Sequence, residues 1–585
     1  MLSDVDALIQ RGDPSAVPKA KELVERMMHL YEGSNHDEYK PTVQAYNLWI
    51  NALAKSSSFG GRRRNNNNRN NQNANNNVGK DAEQILKLMQ DQGVQPNVVS
   101  YTSVIDAYAR SGQSKQAERV LFDLLERQKW DTQLRISSVT CDAVLNAWAQ
   151  QGTFEAAEHA TDILQRMEEM ASTDKNTGIR PTGHSYSTVI NAWAQCKDGE
   201  AAEEAEAILN QMLRNKDKNA VMPDTVVFNA VINAWAQSGD ARAPTQAVNL
   251  LKRMQELHTT KRLKTRPDEI TYNSVITCWS RSGHVNAAQQ AEKILHQMQL
   301  QANNSDDDDS ITPNTVSYNS VLNAWSKSSW PGAGERAQNV LDYMIKASKT
   351  THTQIAPDVF SFTSVMNAWA KSKDPDKATY ARDALDQLLE QYVQTHSPKL
   401  KPNIIPFNTV LNACAFSAMG TTSDQQKKAL QIAVQTFTQL RGDSNIDEGP
   451  DAITYGNMLK CCANLVPQGN TRNQMALQLF AKCCEDGMVD TLPWNELKRC
   501  VPNKVLSESI LMNVNVRGNS PGSVQVRDLP QSWRRNTSKK NNNKKGKYKQ
   551  QRTKKEKKDA DSSGPKPMRP FRQIREQSYQ SGKDM

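Results

Sequence analysis

The chain has 585 residues, of which 37% are hydrophobic, and a formal net charge of +10 at pH 7. The positive charge lies at one end, because residues 531–585 hold 18 Lys and Arg against 5 Asp and Glu, whereas residues 1–530 hold 55 against 58. No apolar run has the length of a transmembrane helix, no secretory signal is visible and the nine cysteines lack CxxC spacing, so we expect an intracellular protein with reduced thiols and no membrane partner.

The first 42 residues carry part of a helical pattern. Ala20, Leu23, Val24 and Met27 follow the helical period, which predicts a partial N-terminal repeat over residues 1–42. The acidic start of the chain is unlike an organellar transit peptide. Because the sequence opens inside a repeat, an incomplete N-terminus is one explanation for the missing transit peptide.

From residue 43 onward a ten-residue phrase recurs. It places apolar residues at i, i+3, i+4 and i+7, as in Phe228, Val231, Ile232 and Trp235. Copies begin at residues 46, 101, 141, 186, 228, 272, 318, 362, 407 and 455. Starts that lie 40 to 55 residues apart mark a repeat array.

A second helical stripe follows each copy, as in Ala247, Leu250, Leu251 and Met254. Polar breaks such as 237–240 suit tight turns between two helices. A Ser or Thr often precedes the opening aromatic, and we predict that it is the N-cap (Ser100, Thr271, Ser317, Ser361 and Thr454). Because one helical hairpin cannot bury its own stripe, we predict an all-α fold, an α-solenoid of about ten helix-turn-helix repeats over residues 43–490.

Several biased segments interrupt or follow the array. An Asn-rich loop insert covers residues 56–79, and the acidic run Asp306–Asp309 lacks the ligand spacing of a calcium loop, which favours a solvated loop. Residues 491–515 are predicted to cap the array, and residues 516–585 to form a disordered basic tail. That tail suits non-specific phosphate contact, and a solubilising terminus or a nuclear-import-like patch is the alternative.

The phrases at residues 267–276 (PDEITYNSVI) and 313–322 (PNTVSYNSVL) resemble the pentatricopeptide repeat family. The resemblance covers about residues 20–490, whereas the tetratricopeptide pattern is absent. It implies a right-handed α-solenoid of the P type, without catalytic extension, that binds single-stranded RNA with one base per repeat. It further implies a sequence-specific adaptor in organellar RNA processing, stability or translation, in a mitochondrion or chloroplast, with other RNA-processing proteins as further partners.

In that family two side chains of each repeat recognise a base: the residue after the opening aromatic and the last residue of the repeat. The matching pairs are Asn47 with Asn97, Thr102 with Ser137, Asp142 with Thr182, Ser187 with Asp224, Asn229 with Asp268, Asn273 with Asn314, Asn319 with Asp358, Thr363 with Asn403, and Asn408 with Asp451. The second residue of each repeat packs against the base, which gives Val99, Val139, Val226, Ile270, Val316, Phe360, Ile405 and Ile453.

The family's approximate code converts the pairs from Ser187 to Asp451 into 5′-G-U-C-U-A-U-3′. Asp142 with Thr182, and Gly456 with Asp490, match no clear base. The alternative for each polar position is ordinary helix capping and turn formation. The tryptophans at 148, 193, 235, 279, 325 and 369 lie on the apolar stripe, so we interpret them as core residues rather than base-stacking ones.

We predict no enzyme activity, no cofactor and no metal site. The deaminase signature, a P-loop and Gly-x-Ser-x-Gly are absent. The alternative to RNA binding is a protein-interaction scaffold, because concave α-solenoids also hold peptides and proteins. The net charge of −3 in residues 1–530 suits that alternative.

Overall fold

The structure is a computed structural model, and it describes residues 2–11, 13, 15–34, 36–59, 78–128, 130–131, 134–173, 178–215, 221–260, 266–304, 311–349, 355–417, 422–442, 446, 448–510 and 524–537. Most of the Asn-rich insert, the run Asp306–Asp309 and the tail after Thr537 lie outside these ranges. The chain divides into two compact units, Met1–Pro357 and Asp358–Met585.

The first unit contains an N-terminal helix pair and repeats one to seven. The pair is Leu2–Arg11 and Ala16–Ser34, followed by a short 3-10 turn at Asp37–Tyr39. The first helix of each repeat, helix A, is Val43–Phe59, Val98–Arg110, Ser138–Ala149, Gly183–Cys196, Thr225–Ser238, Glu269–Ser282 and Thr315–Lys327. The second, helix B, is Val78–Asp91, Ser114–Gln128, Phe154–Thr173, Gly199–Arg214, Ala243–Thr259, Ala287–Asn304 and Ala333–Lys349.

The second unit contains repeats eight to ten and two further helices. Its helices A are Val359–Lys371, Ile404–Ala415 and Ala452–Leu465, and its helices B are Lys377–Thr395, Ser423–Gly442 and Asn470–Glu485. Thr491–Cys500 and Asn503–Ser509 follow, with 3-10 turns at Pro398–Leu400, Val526–Asp528 and Gln531–Arg534.

Two buried stripes hold each repeat together. Within each unit, helix A packs against its own helix B and against the neighbouring helix A. The opening aromatics are buried, as are the alanine, leucine and methionine positions of helix B. Five of the six predicted core tryptophans are at most 7% exposed, and Trp279 is partly exposed. The predicted all-α solenoid of helix-turn-helix repeats is confirmed.

The turn between the two helices depends on glycine in several repeats. Gly239 and Gly283 end helix A with φ of 69° and 68°, the left-handed region that glycine adopts without steric cost. Both glycines lie in the polar breaks from which the sequence predicted turns.

The predicted N-caps are wrong by three residues. Asp268 is the N-cap of Glu269–Ser282, because its Oδ1 accepts from the Thr271 amide at 2.8 Å while the Thr271 hydroxyl accepts from the Asp268 amide at 3.0 Å. Thr271 is therefore the third helical residue and the reciprocal half of a capping box. The same holds for Ser100, Ser317, Ser361 and Thr454, whose caps are Asn97, Asn314, Asp358 and Asp451.

Residues 524–537 pack against the last repeat, so the predicted tail boundary at residue 516 is wrong for this segment. The Val489 amide donates to the Trp533 carbonyl at 2.9 Å, and the Asn536 amide donates to the Gly487 carbonyl at 3.1 Å. The Trp533 ring meets Phe480 edge-on, with ring centroids 6.0 Å apart. Residues 524–537 are mostly polar, but Trp533 packs on Phe480 of the last repeat. The segment therefore covers the end of the array, as the capping unit of a solenoid does.

A close helix contact gives a testable prediction at Gly79. A Cβ built on Gly79 would lie 2.2 Å from Cδ1 of Tyr108, whose ring is buried. We expect Gly79→Ala to destabilise the packing of helix Val78–Asp91 by about 1–3 kcal/mol and to speed its amide hydrogen exchange about 5- to 150-fold. Gly33→Ala is the matched control, because nothing lies within 4 Å of its Cβ. If Gly79→Ala speeds exchange in its helix no more than Gly33→Ala speeds exchange in its own helix, the close contact of Gly79 with Tyr108 is contradicted.

Candidate functional site

A row of apolar side chains is exposed at the start of the helices A. All eight predicted base-packing residues lie at the second helical position and are between 50 and 66% exposed. Five belong to the first unit and three to the second (Val99, Val139, Val226, Ile270 and Val316; Phe360, Ile405 and Ile453). We call this set the apolar row. In repeat four His184 takes the equivalent position. An apolar residue that is left in water at the same position of eight repeats marks a surface that contacts a partner.

Within the two units, the described hydrogen bonds join three of the predicted recognition pairs. The fifth residue of helix A donates through Nδ2 to Oδ1 of the next N-cap, although the two residues lie 39 to 50 positions apart. The distances are 3.2 Å for Asn47 to Asn97, 3.0 Å for Asn229 to Asp268 and 3.2 Å for Asn408 to Asp451. Packing of neighbouring helices A therefore places these residues side by side.

One oxygen of the N-cap carries all of these contacts. Oδ1 of Asp268 accepts from the Thr271 amide, from the Thr271 hydroxyl and from Asn229. Among the described residues, Oδ2 of Asp268 has no hydrogen-bond partner, and the same is true of Asp451. The Asp268 and Asp451 caps thus each present a free acceptor beside the apolar row.

An asparagine cap presents the opposite group. Oδ1 of Asn97 accepts from the Ser100 amide, the Ser100 hydroxyl and Asn47, so that its Nδ2 donor faces no protein acceptor in the described part of the chain. Asn314 is arranged in the same way, with Oδ1 accepting from the amides of Val316 and Ser317. Asp and Asn caps therefore share one backbone geometry and differ in hydrogen-bond polarity.

Of the other six predicted pairs, the five that lie within one unit lack a described hydrogen bond between their members. The Thr102 hydroxyl donates to the Val98 carbonyl and lies 2.9 Å from the Thr140 hydroxyl of the next helix A. The Ser187 hydroxyl donates to the His184 carbonyl and the Thr363 hydroxyl to the Val359 carbonyl, both within their own helices. Asn273 hydrogen-bonds Glu269. Their partners Asp224, Asn314 and Asn403 accept from backbone amides as N-caps, whereas the Ser137 cap makes no side-chain bond. Asn319 lies in the first unit and Asp358 in the second, where Asp358 caps Val359–Lys371.

In repeats two to four, the helices A line a groove of about 500 Å³. Its lining comes from the second, fifth, ninth and thirteenth helical positions and their neighbours: Asp106, Ala109, Arg110, Val139, Asp142, Ala143, Asn146, Gln150 and His184. In repeats two to four, the second and fifth helical positions therefore share one face with the ninth and thirteenth residues. Arg110 is paired with Asp106 at 2.7 Å.

The thirteenth position of helix A carries no motif that marks it in the sequence. In repeats one to eight it is always Lys, Arg or Gln (Lys55, Arg110, Gln150, Gln195, Gln237, Arg281, Lys327 and Lys371). The net negative charge of residues 1–530 concealed this edge, because a sum over the chain does not show which face of a repeat carries each charge. Aligning the repeats by their opening aromatic, rather than summing charge, reveals it.

Asp142 differs from the other fifth-position residues because it is a carboxylate in a half-buried place. Desolvation raises the pKa of Asp142, and the Ser185 hydroxyl, which donates to it at 2.6 Å, opposes this effect. A carboxyl whose pKa is raised on folding lowers stability as the pH rises through the ordinary carboxyl range and above.

We therefore expect Asp142→Asn, which keeps an acceptor for Ser185, to raise the unfolding temperature at pH 7. The gain should shrink as the pH falls below the ordinary carboxyl pKa, where wild-type Asp142 is also neutral. Thermal unfolding at several pH values checks this. A gain that does not change with pH would show that the charge of Asp142 is not its cause.

Among the described residues, no three His, Cys, Asp or Glu side chains are grouped closely enough to hold a metal ion. No described helix is both long and apolar enough to cross a membrane. Burial raises the pKa of all nine cysteine thiols. The pKa is about 11 or higher for the eight cysteines other than Cys461, and the pKa of Cys461 also lies well above its ordinary value.

Comparison with known proteins finds one family. Residues 84–129 match the pentatricopeptide repeat domain, a range that covers most of helix Val78–Asp91 and both helices of repeat two. The match confirms the resemblance seen in the sequence. No curated protein matches the chain.

Solved structures that are similar to the chain include the pentatricopeptide repeat protein PPR10 from maize. It is 16% identical with a TM-score of 0.29, over 85% of this chain and 75% of that one. PPR10 in complex with an 18-nt psaJ RNA element is 18% identical with a TM-score of 0.27, over 87% of this chain and 84% of that one.

Proposed function

We propose that this pentatricopeptide repeat protein binds single-stranded RNA along the apolar row and recognises its sequence one base per repeat. The observation that carries the proposal is the combination, at Asp268 and Asp451, of an exposed apolar residue with a polar pair whose cap Oδ2 has no hydrogen-bond partner among the described residues. Neither half of this combination is needed for the fold, because the apolar residue is in water and the cap needs only Oδ1.

The apolar row supplies affinity without sequence preference. A base held between the second residues of two successive helices A has both faces covered, and every base has such faces. Stacking of this kind contributes about 1–3 kcal/mol per base when the platform is aromatic, and aliphatic residues are expected to contribute toward the lower end.

The caps supply the choice between two classes of base. Uracil and guanine carry an N–H at the centre of the Watson–Crick edge, whereas cytosine and adenine carry a bare ring nitrogen there. Oδ2 of an aspartate cap accepts from the first class, and Nδ2 of an asparagine cap donates to the second. The fifth residue of helix A then separates purine from pyrimidine, as the family code has it, which gives 5′-GUCUAU-3′ for repeats four to nine.

The edge of Lys, Arg and Gln at the thirteenth position suits the phosphate backbone. Long cationic and amide side chains contact phosphates without regard to sequence and fix the strand over the row. The basic residues of the C-terminal tail add a non-specific contribution that weakens with salt.

A protein-binding scaffold is the second candidate, and the net charge of −3 over residues 1–530 favours it. An anionic solenoid repels a polyanion at long range, so specific short-range contacts must overcome that repulsion. The two candidates therefore differ in their dependence on RNA sequence.

Equilibrium binding of the full chain distinguishes them. At about 200 mM salt, where non-specific phosphate contacts are weakened, we expect an oligonucleotide that contains GUCUAU to bind at least about tenfold more tightly than a scrambled one. Equal affinities would contradict base recognition, and no RNA binding at either sequence would favour the scaffold.

We further propose that the chain acts by binding alone, in organellar RNA processing, stability or translation, within a mitochondrion or chloroplast. A bound solenoid blocks nucleases on the covered segment and keeps it single-stranded. Other RNA-processing proteins are the partners that such a role requires.

A further inference from the structure

The recognition position of repeat ten is filled by a neighbouring side chain. Gly456 is the fifth residue of Ala452–Leu465 and therefore corresponds to Asn408 in repeat nine. A Cβ built on Gly456 would lie 2.4 Å from Cγ and 2.5 Å from Cδ2 of Leu492. No polar side chain fits at this position while Leu492 keeps its place.

Leu492 is the second residue of Thr491–Cys500 and continues the apolar row. It is 38% exposed, less than every one of the eight preceding members of the row. Its side chain packs against Gly456 rather than pointing into the solvent. In other repeats the residue at the second helical position is proposed to pack against a base. Here that residue, Leu492, packs instead against Gly456, which is at the recognition position.

The cap of repeat ten is also altered. Asp490 should accept from the amide of the third helical residue, but that residue is Pro493, which has no amide hydrogen. Oδ1 of Asp490 instead accepts from the amide of Thr491 at 2.7 Å. The capping box that holds the Asp268 and Asp451 carboxylates in register is therefore missing at Asp490.

We propose that Leu492 closes the base site of repeat ten, so that specific recognition ends with the base bound at Asn408 and Asp451. This inference rests on the proposed function. The nucleotide that follows GUCUAU is then unrestricted, and the segment that the protein selects has a fixed 3′ limit.

Opening the site tests the inference. Full-length protein is titrated with four oligonucleotides that differ only in the nucleotide after GUCUAU. We expect the wild type to bind all four within about twofold, because no side chain at Gly456 contacts the base. Gly456→Asn and Leu492→Ala, combined with Pro493→Thr, should prefer U by about fivefold or more, since Pro493→Thr restores the capping box at Asp490 and Gly456→Asn then completes a recognition pair. Leu492→Ala alone is the control and should show no preference.

The possible results separate the inference from the function. If the wild type discriminates at the added nucleotide, or the triple variant does not, the closure by Leu492 is wrong even if GUCUAU is preferred over its scrambled form. If GUCUAU is not preferred, the function itself is wrong.

A second readout needs no RNA. Gly456→Ala should lower the unfolding temperature, and Leu492→Ala in that background should restore most of the loss, because it removes the clash. An unchanged unfolding temperature in Gly456→Ala would overturn the contact itself.

Discussion

Asp268→Asn is expected to change the preferred second base of GUCUAU from U to C. The substitution exchanges the free Oδ2 acceptor for an Nδ2 donor and leaves Oδ1 to accept from Thr271 and Asn229. Aspartate and asparagine are equivalent N-caps, so the helix should be unaffected. Asn97, which caps its helix and accepts from Asn47 in the same manner, is the precedent within the chain.

The size of the effect follows from the cost of an unmet hydrogen bond. In the variant, the asparagine Nδ2 donor faces the N–H donor of uracil, and an unmet hydrogen bond of this kind costs about 1–3 kcal/mol. The ratio of U to C affinity should therefore change by about 5- to 150-fold. Titration of the wild type and the variant with GUCUAU and GCCUAU measures it. Asp490→Asn is the matched control and should leave the base preference unchanged, because Leu492 closes that site. A uniform loss of affinity for both oligonucleotides would show that Asp268 supports structure rather than base choice.

Replacing three members of the apolar row is expected to weaken RNA binding by about 100-fold or more. Val226, Ile270 and Val316 are 59, 61 and 57% exposed, so serine at these positions removes contact with RNA and little contact with protein. A loss of about 1 kcal/mol at each residue gives the combined effect. The unfolding temperature should change little, since none of the three belongs to the core.

The control for this variant uses apolar residues that are equally exposed but lie outside the row. Val285 and Val393 are 68 and 62% exposed, and neither lies in a helix A. Their replacement by serine should leave the RNA affinity unchanged. If both variants lose the same affinity, or neither does, the row is not the binding surface.

Periodicity was sufficient to predict the solenoid and the exposure of the row. The stripe from Phe228 to Trp235 fixes which face of helix A is buried, and residues at the second position, such as Val226, must then point away from it. Matching the family motif also placed Asn229 opposite Asp268, which the structure brings to 3.0 Å. These features depend on local spacing and on a neighbour that repeats the same pattern.

The features that the sequence did not reveal depend on distant or ambiguous contacts. A serine or threonine near a helix start is either the cap or its reciprocal partner, and only the backbone geometry at Asp268 decides between them. Leu492 reaches Gly456 across 36 positions, and Trp533 covers Phe480 from a segment of mostly polar composition. Isolated apolar residues of this kind have no periodic signal.

Site-specific photocrosslinking tests the central claim most directly. 4-Thiouridine is placed at the second or the sixth position of GUCUAU, and the crosslinked peptides of the full-length protein are identified by mass spectrometry. We predict that the second position crosslinks between Val226 and Ile270, and the sixth between Ile405 and Ile453. Crosslinks from both positions to the same peptide, or to the basic tail alone, would contradict the recognition of one base by each repeat.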